Sequence, residues 1–155
     1  MARITIPSSV TSIGKNPGTV NAVVYFEGSR QQWDKALGDQ LFSCKYVVFG
    51  INDGSWKKNN KGWWYRRYDG SYPMHQFEGI DGQVYYFDSN GYMVTGWQKI
   101  GSKWYYFEGS GAMAVNKWVG NYYLTGSGAM ATNTWIGKYY VGADGKWIPG
   151  YKAAN

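Results

Sequence analysis

Pairs of adjacent aromatic residues recur along most of this chain, at Trp64-Tyr65, Tyr85-Tyr86, Tyr105-Tyr106, Tyr122-Tyr123 and Tyr139-Tyr140, in steps of 21, 20, 17 and 17 residues. Each pair is followed by a turn-forming quartet (YDGS, DSNG, EGSG, TGSG, GADG), then by Met74, Met93, Met113, Met130 or Trp147, and then by a further ring at Phe77, Trp97, Trp118, Trp135 or Tyr151. Periods of this length mark a repeated supersecondary unit. One unit reads as a β-hairpin: a segment such as WYYF is strand-forming, and the glycine-rich turn supplies positive φ. A single hairpin cannot bury its rings and is marginal alone. Stacked hairpins cover one another, so the pattern predicts an all-β solenoid. Strand alternation places Trp104 and Tyr106 on one side, Tyr105 and Phe107 on the other.

The first 53 residues differ. Ile4 and Ile6, then Val10 and Ile13, read as short strands around turns, and TVNAVVYFEG suits a buried strand. SRQQWDKALGD reads as one short helix, with Ser29 as N-cap, Trp33, Ala36 and Leu37 on one face, and Gly38 as its stop. KYVVFG is another strand. This is too little chain for a self-contained core. From Gly54 onward lie 24 of the 30 aromatics, with eleven Lys and Arg against six acids. The composition therefore predicts a boundary near residues 51–55, separating domains 1–53 and 54–155.

Several function classes are disfavoured. His75, the only histidine, has no neighbouring ligands that would suit a metal, and reads as a surface residue. Cys44, the only cysteine, lacks a base or orienting group in the sequence and reads as a small buried hydrophobe. Asp81 and Asp88 fall at hairpin ends, where aspartate forms turns. No phosphate-binding loop, dinucleotide fingerprint or nucleophile elbow is present. The expectation is a non-enzyme with no metal or cofactor. No apolar run reaches 18 residues, so no membrane span is expected. The net charge of +6 favours anionic partners. Basic residues among aromatics also suit single-stranded nucleic acid. Here the tyrosines repeat and the lysines do not, so nucleic acid is not expected as a partner. The sequence leaves the oligomeric state open.

GWQKIGSKWYYFEGSGAM, residues 96–113, resembles the choline-binding, or cell-wall-binding, repeat of Gram-positive surface proteins and autolysins. The shared pattern is G-W, about six residues, W-Y-Y-hydrophobic, a turn ending in glycine, then x-M. Residues 55–93 resemble the first repeats of choline-dependent amidases, and the likeness covers residues 54–151. ITIPSSVTSIG and VVYFEGSRQQWDKA resemble the end of a BspA-like leucine-rich repeat region, over residues 3–50. The two resemblances together imply a β-hairpin solenoid after a small leucine-rich-repeat-type cap. They also imply a C-terminal fragment, without its signal peptide, of a protein displayed on the bacterial surface.

The implied ligand is the choline of teichoic or lipoteichoic acid. Quaternary ammonium has no N–H to donate, so it is recognised by aromatic faces, each contact contributing on the order of 0.5–2 kcal/mol. A three-ring cage then holds free choline at roughly millimolar affinity, and several sites on one polymer gain by avidity. In the family, a cage takes the tryptophan of G-W, the tryptophan seven residues later, the second tyrosine of the next hairpin, and often a methionine there. Carried over, one set is Trp97, Trp104 and Tyr123 with Met130; another is Trp56, Trp63 and Tyr86 with Met93. Trp118 and Tyr140 make an incomplete set, because Asn121 stands where the second tryptophan belongs. Tyr85, Tyr105, Phe87, Phe107 and Leu124 read as core. The alternative function is binding of α-glucan or another surface carbohydrate, since sugar CH faces also stack on rings.

Overall fold

A computed structural model of the chain describes residues 2–10, 22–37 and 46–152; Ile13, Gly38 and Cys44 lie outside that range. Among the described residues the fold is mostly β-strand with one short helix, and the contacts divide the chain into two compact units, Met1–Val94 and Thr95–Asn155.

In the first unit, β1 (Ala2–Ile6), β2 (Ala22–Ser29) and β3 (Tyr46–Ile51) run parallel, with one register shift between β2 and β3 after Phe26. The helix α1 (Arg30–Leu37) connects β2 to β3. Ser29 caps it as its sequence suggests: Ser29 Oγ accepts from the Gln32 N–H at 3.2 Å, and Gln32 Oε1 accepts from the Ser29 N–H at 2.8 Å. This reciprocal pair satisfies two donors that would otherwise be orphaned. Trp33 is thereby turned onto Phe26 and Phe49, and all three meet edge to face with centroids 5.2–6.4 Å apart. Ile6 and Val24 complete this core.

The hairpins begin with β4 (Ser55–Asn59) and β5 (Gly62–Arg66), followed by β6 (Gln76–Ile80) and β7 (Gln83–Phe87). The expected division after residue 53 is not where the contacts divide the chain, because β6 joins the N-terminal sheet. Its order is β1-β2-β3-β6-β7, with Val48 opposite Gly79. A Cβ on Gly79 would stand 2.5 Å from the Val48 Cα, so only glycine allows this approach. Beside it, the buried Glu78 accepts from Arg67 Nη2 at 2.8 Å and Nε at 3.2 Å, and from Arg30 at the start of α1. A buried carboxylate needs such pairing, and losing one partner of a buried pair costs about 3–5 kcal/mol.

The second unit is built from three hairpins: β8 (Gly96–Ile100) with β9 (Lys103–Phe107), β10 (Lys117–Val119) with β11 (Tyr122–Leu124), and β12 (Thr134–Ile136) with β13 (Tyr139–Val141). Each has a two-residue loop opening on a positive-φ glycine, Gly101, Gly120 or Gly137. Loops of this kind match the right-handed twist of the strands. The returning chain then turns back on its own hairpin, with Ala114, Ala131 and Ile148 donating to the carbonyls of Tyr106, Tyr123 and Tyr140 at 2.8–2.9 Å. Tyr105 and Phe107 are buried, at 3% and 0% exposure, while Trp104 beside them is 40% exposed. Alternation therefore sorts the opening hairpin of this unit as the sequence predicts.

Candidate functional site

Antiparallel pairing fixes which rings share a face. In every hairpin the leading ring stands opposite the second residue of the aromatic pair: Trp56 and Tyr65, Phe77 and Tyr86, Trp97 and Tyr106, Trp118 and Tyr123, Trp135 and Tyr140. Directly opposed residues lie on the same face. The second tyrosine is thus held by the leading ring of its own hairpin, as with Trp118 and Tyr123 at 5.3 Å and Phe77 and Tyr86 at 5.0 Å.

The ring contacts differ from two of the expected sets. The ring reaching Trp97 from the next hairpin is Tyr122, not Tyr123, with centroids 5.4 Å apart. The ring reaching Trp56 is Tyr85, not Tyr86, at 4.9 Å. The incomplete set follows the same rule: Tyr139 meets Trp118 at 5.8 Å, whereas Tyr140 stacks on Tyr151 at 3.7 Å and 7°. The physical reason is the period of two. The face of β10–β11 turned to Trp97 carries Val119, Tyr122 and Leu124, so Tyr123 points the other way. Tyr85 and Tyr122 are therefore the tyrosines that meet the preceding tryptophans.

The methionines are tied to the preceding hairpin by their backbone. The Met93 N–H donates to the Trp63 carbonyl, and the Met130 N–H to the Trp104 carbonyl, both at 2.8 Å. Trp147 repeats this link to Asn121 at 2.8 Å. Each bond joins the return segment of one hairpin to the loop-side strand position of the hairpin before it. Met130 thereby comes to the same space as Trp97 and Trp104, Met93 packs with Trp56 on the Tyr65–Ile80–Phe87 cluster, and Trp147 lies 5.7 Å from Tyr139 of its own hairpin.

In the second unit these elements border an open cavity of about 340 Å³ lined by Trp97, Trp104, Tyr122, Met130 and Asp144. Met130 lies against Gly145, where a Cβ would come within 2.4 Å of its Cε, so the bare glycine makes room for that wall. Of these lining residues, Trp97, Trp104 and Met130 belong to the set that the motif suggests. Tyr122 and Asp144 were missed, although the two-residue loop at Gly120-Asn121 fixes the strand register and so carries the signal for Tyr122.

The corresponding rings of the first unit are packed more closely. Trp56 meets Trp63 at 6.5 Å, Tyr65 at 5.4 Å and Tyr85 at 4.9 Å, and it stacks on Phe87 at 5.8 Å and 29°. Tyr65, Ile80 and Phe87 form a buried cluster against which Trp56, Tyr85 and Met93 pack. Burial pushes the Tyr65 hydroxyl up to about 12, against the lowering effect of the Gly54 N–H that donates to it. Burial likewise raises Tyr85. Trp63 is 41% exposed, and the ammonium of Lys58, directly across the hairpin, lies 5.4 Å from its ring centroid.

His75 is exposed and adopts a left-handed φ of 52°, the place that Asn116 and Asn133 take before later hairpins. Among the described residues no group of three or more His, Cys, Asp or Glu could hold a metal. No described helix is long and apolar enough to cross a membrane.

Two models of the choline-binding repeat match this chain, over residues 76–118 and 112–147. Together the two matches cover residues 76–147. A lysozyme of Streptococcus phage Cp-9 is 50% identical over an alignment covering 32% of this chain and 21% of that protein. The choline-binding domain of CbpL from Streptococcus pneumoniae is similar at a TM-score of 0.54 and 39% identity, covering 64% of this chain and 56% of that one. The multimodular pneumococcal cell wall endolysin from phage Cp-1, in a structure complexed with choline, is similar at 0.50 and 28%, covering 83% and 54%. The chain thus spans about a fifth of the curated relative, by its 21% coverage, and just over half of either structure.

Proposed function

We propose that this chain is a non-catalytic wall-binding module that holds the choline of teichoic or lipoteichoic acid in aromatic cages between adjacent hairpins, and so anchors a surface or secreted protein outside the cell. The observation that carries this reading is the cavity lined by Trp97, Trp104, Tyr122 and Met130. Three rings and a polarisable thioether provide π faces and an apolar wall, which is what a group with methyls and no N–H requires. Trp56, Trp63 and Tyr85 with Met93 form the second, more crowded site. Trp118, Tyr139 and Trp147 form an incomplete third.

The backbone link from each return segment to the preceding hairpin supports a solenoid of stacked hairpins. The parallel registers of β1–β3 support a leucine-rich-repeat end. Ala2 pairs with Ala22 and Val23 with Tyr46, offsets of 20 and 23 residues, within the 20–29-residue period of such repeats.

Retention on a resin bearing a quaternary or tertiary amine, followed by elution with free choline, is the expected behaviour. Failure to bind that resin, with retention on an α-glucan that choline does not displace, would replace this reading with the carbohydrate one.

A further inference from the structure

Rings alone do not separate choline from a neutral group of the same shape, because an aromatic face also stacks on uncharged CH surfaces. The cavity at Trp97 has one wall of a different kind. Asp144, in the return turn after β13, contributes the one carboxylate among its described lining residues. It comes from two hairpins beyond the tryptophan pair.

Asp144 also has a local role. Its Oδ1 accepts from the Lys146 N–H at 2.9 Å and so closes the turn. That role does not require charge. At the matching places of the two earlier turns in the same unit, Ser110 Oγ accepts from the Ala112 N–H at 3.3 Å and Ser127 Oγ from the Ala129 N–H at 3.4 Å. A neutral side chain closes those turns, and a carboxylate stands where the turn borders the cavity. The hydrogen bond uses one lone pair of one oxygen and leaves the negative charge available.

We propose that Asp144 is the charge-selecting residue of this site, making it prefer a quaternary ammonium head group over an uncharged head group of equal size. A quaternary ammonium offers no hydrogen to the carboxylate, so Asp144 acts through Coulomb attraction, which water and salt screen. The rings and Met130 set shape; Asp144 sets sign. This inference rests on the choline reading of the same cavity.

The test compares choline with 3,3-dimethylbutan-1-ol, its uncharged isostere, by titration of the intact chain at low and high salt. Asp144→Asn keeps an oxygen acceptor for Lys146 and removes the charge. Wild-type protein is expected to prefer choline. Asp144→Asn is expected to lose roughly threefold to tenfold in choline affinity, with isostere affinity unchanged and a weaker salt dependence. In a Trp104→Ala background the same substitution is expected to change little, since the two residues serve one pocket. Wild-type binding of choline with no change in folded Asp144→Asn would overturn the role of Asp144 and leave the cage standing. Wild-type binding of neither ligand would overturn the cage reading and this inference with it.

Discussion

Trp56–Trp63 and Trp97–Trp104 have the same seven-residue spacing and the same hairpin registers, yet their surroundings differ. The next hairpin presents Tyr85 and Phe87 to Trp56, and Phe87 stacks on it. The next hairpin after Trp97 presents Tyr122, with Leu124 at the place corresponding to Phe87. A branched aliphatic in place of a ring leaves volume unfilled, and this is the pair that borders the cavity. The first pair also precedes both segments matched by the choline-binding-repeat models. One motif thus has two settings: in the first unit it is chiefly packing, and in the second it borders a cavity.

The largest expected effect tests that division through stability. Trp56 makes four ring contacts and packs on the Tyr65–Ile80–Phe87 cluster. Trp56→Ala is expected to destabilise the first unit by about 3 kcal/mol, the lower end for a core tryptophan because this one is only half-buried. Trp97→Ala removes edge contacts to Tyr106 and Tyr122 and is expected to cost about half as much. Denaturant unfolding followed by circular dichroism measures both. Equal losses would mean that Trp97 is packing as much as Trp56 is.

Much of this contrast was legible before any geometry. The five aromatic pairs and the Gly-containing turns identify hairpins, and the period of two separates Tyr105 from Trp104. The same alternation, combined with two-residue loops, also specifies that Tyr122 and Tyr85 face the preceding tryptophans. The family-derived pattern pointed instead to Tyr123 and Tyr86, which the registers set opposite the leading rings of their own hairpins. Other features depend on contacts that no local pattern carries. Asp144 reaches the cavity from two hairpins away, and its sequence context, GADG, signals only a turn. The pairing of β3 with β6 links Val48 to Gly79 across 31 residues, so the change in composition near residue 53 did not mark the division between units.

Binding provides the next test of the comparison. Trp104→Ala removes an exposed cavity wall and is expected to weaken choline binding by roughly tenfold, within the range of one cation–π contact. Trp63→Ala is expected to weaken it by about twofold, because Lys58 already occupies part of that ring's surroundings. Calorimetric titration of the two variants, at matched folded fraction, decides the order. The reverse order would assign the main site to the first unit.

The smallest effect concerns the lysine itself. Lys58 stands directly opposite Trp63 on the same face, with its ammonium 5.4 Å from the ring centroid. A resident cation there competes with an incoming one for the same π face, and an exposed contact of this kind is worth about 0.5–1 kcal/mol. Lys58→Ala should release that face. In a Trp104→Ala background, where the second-unit site is weakened, it is expected to strengthen residual choline binding by about two- to fivefold. Unchanged choline binding together with weaker phosphocholine binding would point the other way: Lys58 would then be assisting the ligand through the phosphate of a phosphocholine ester.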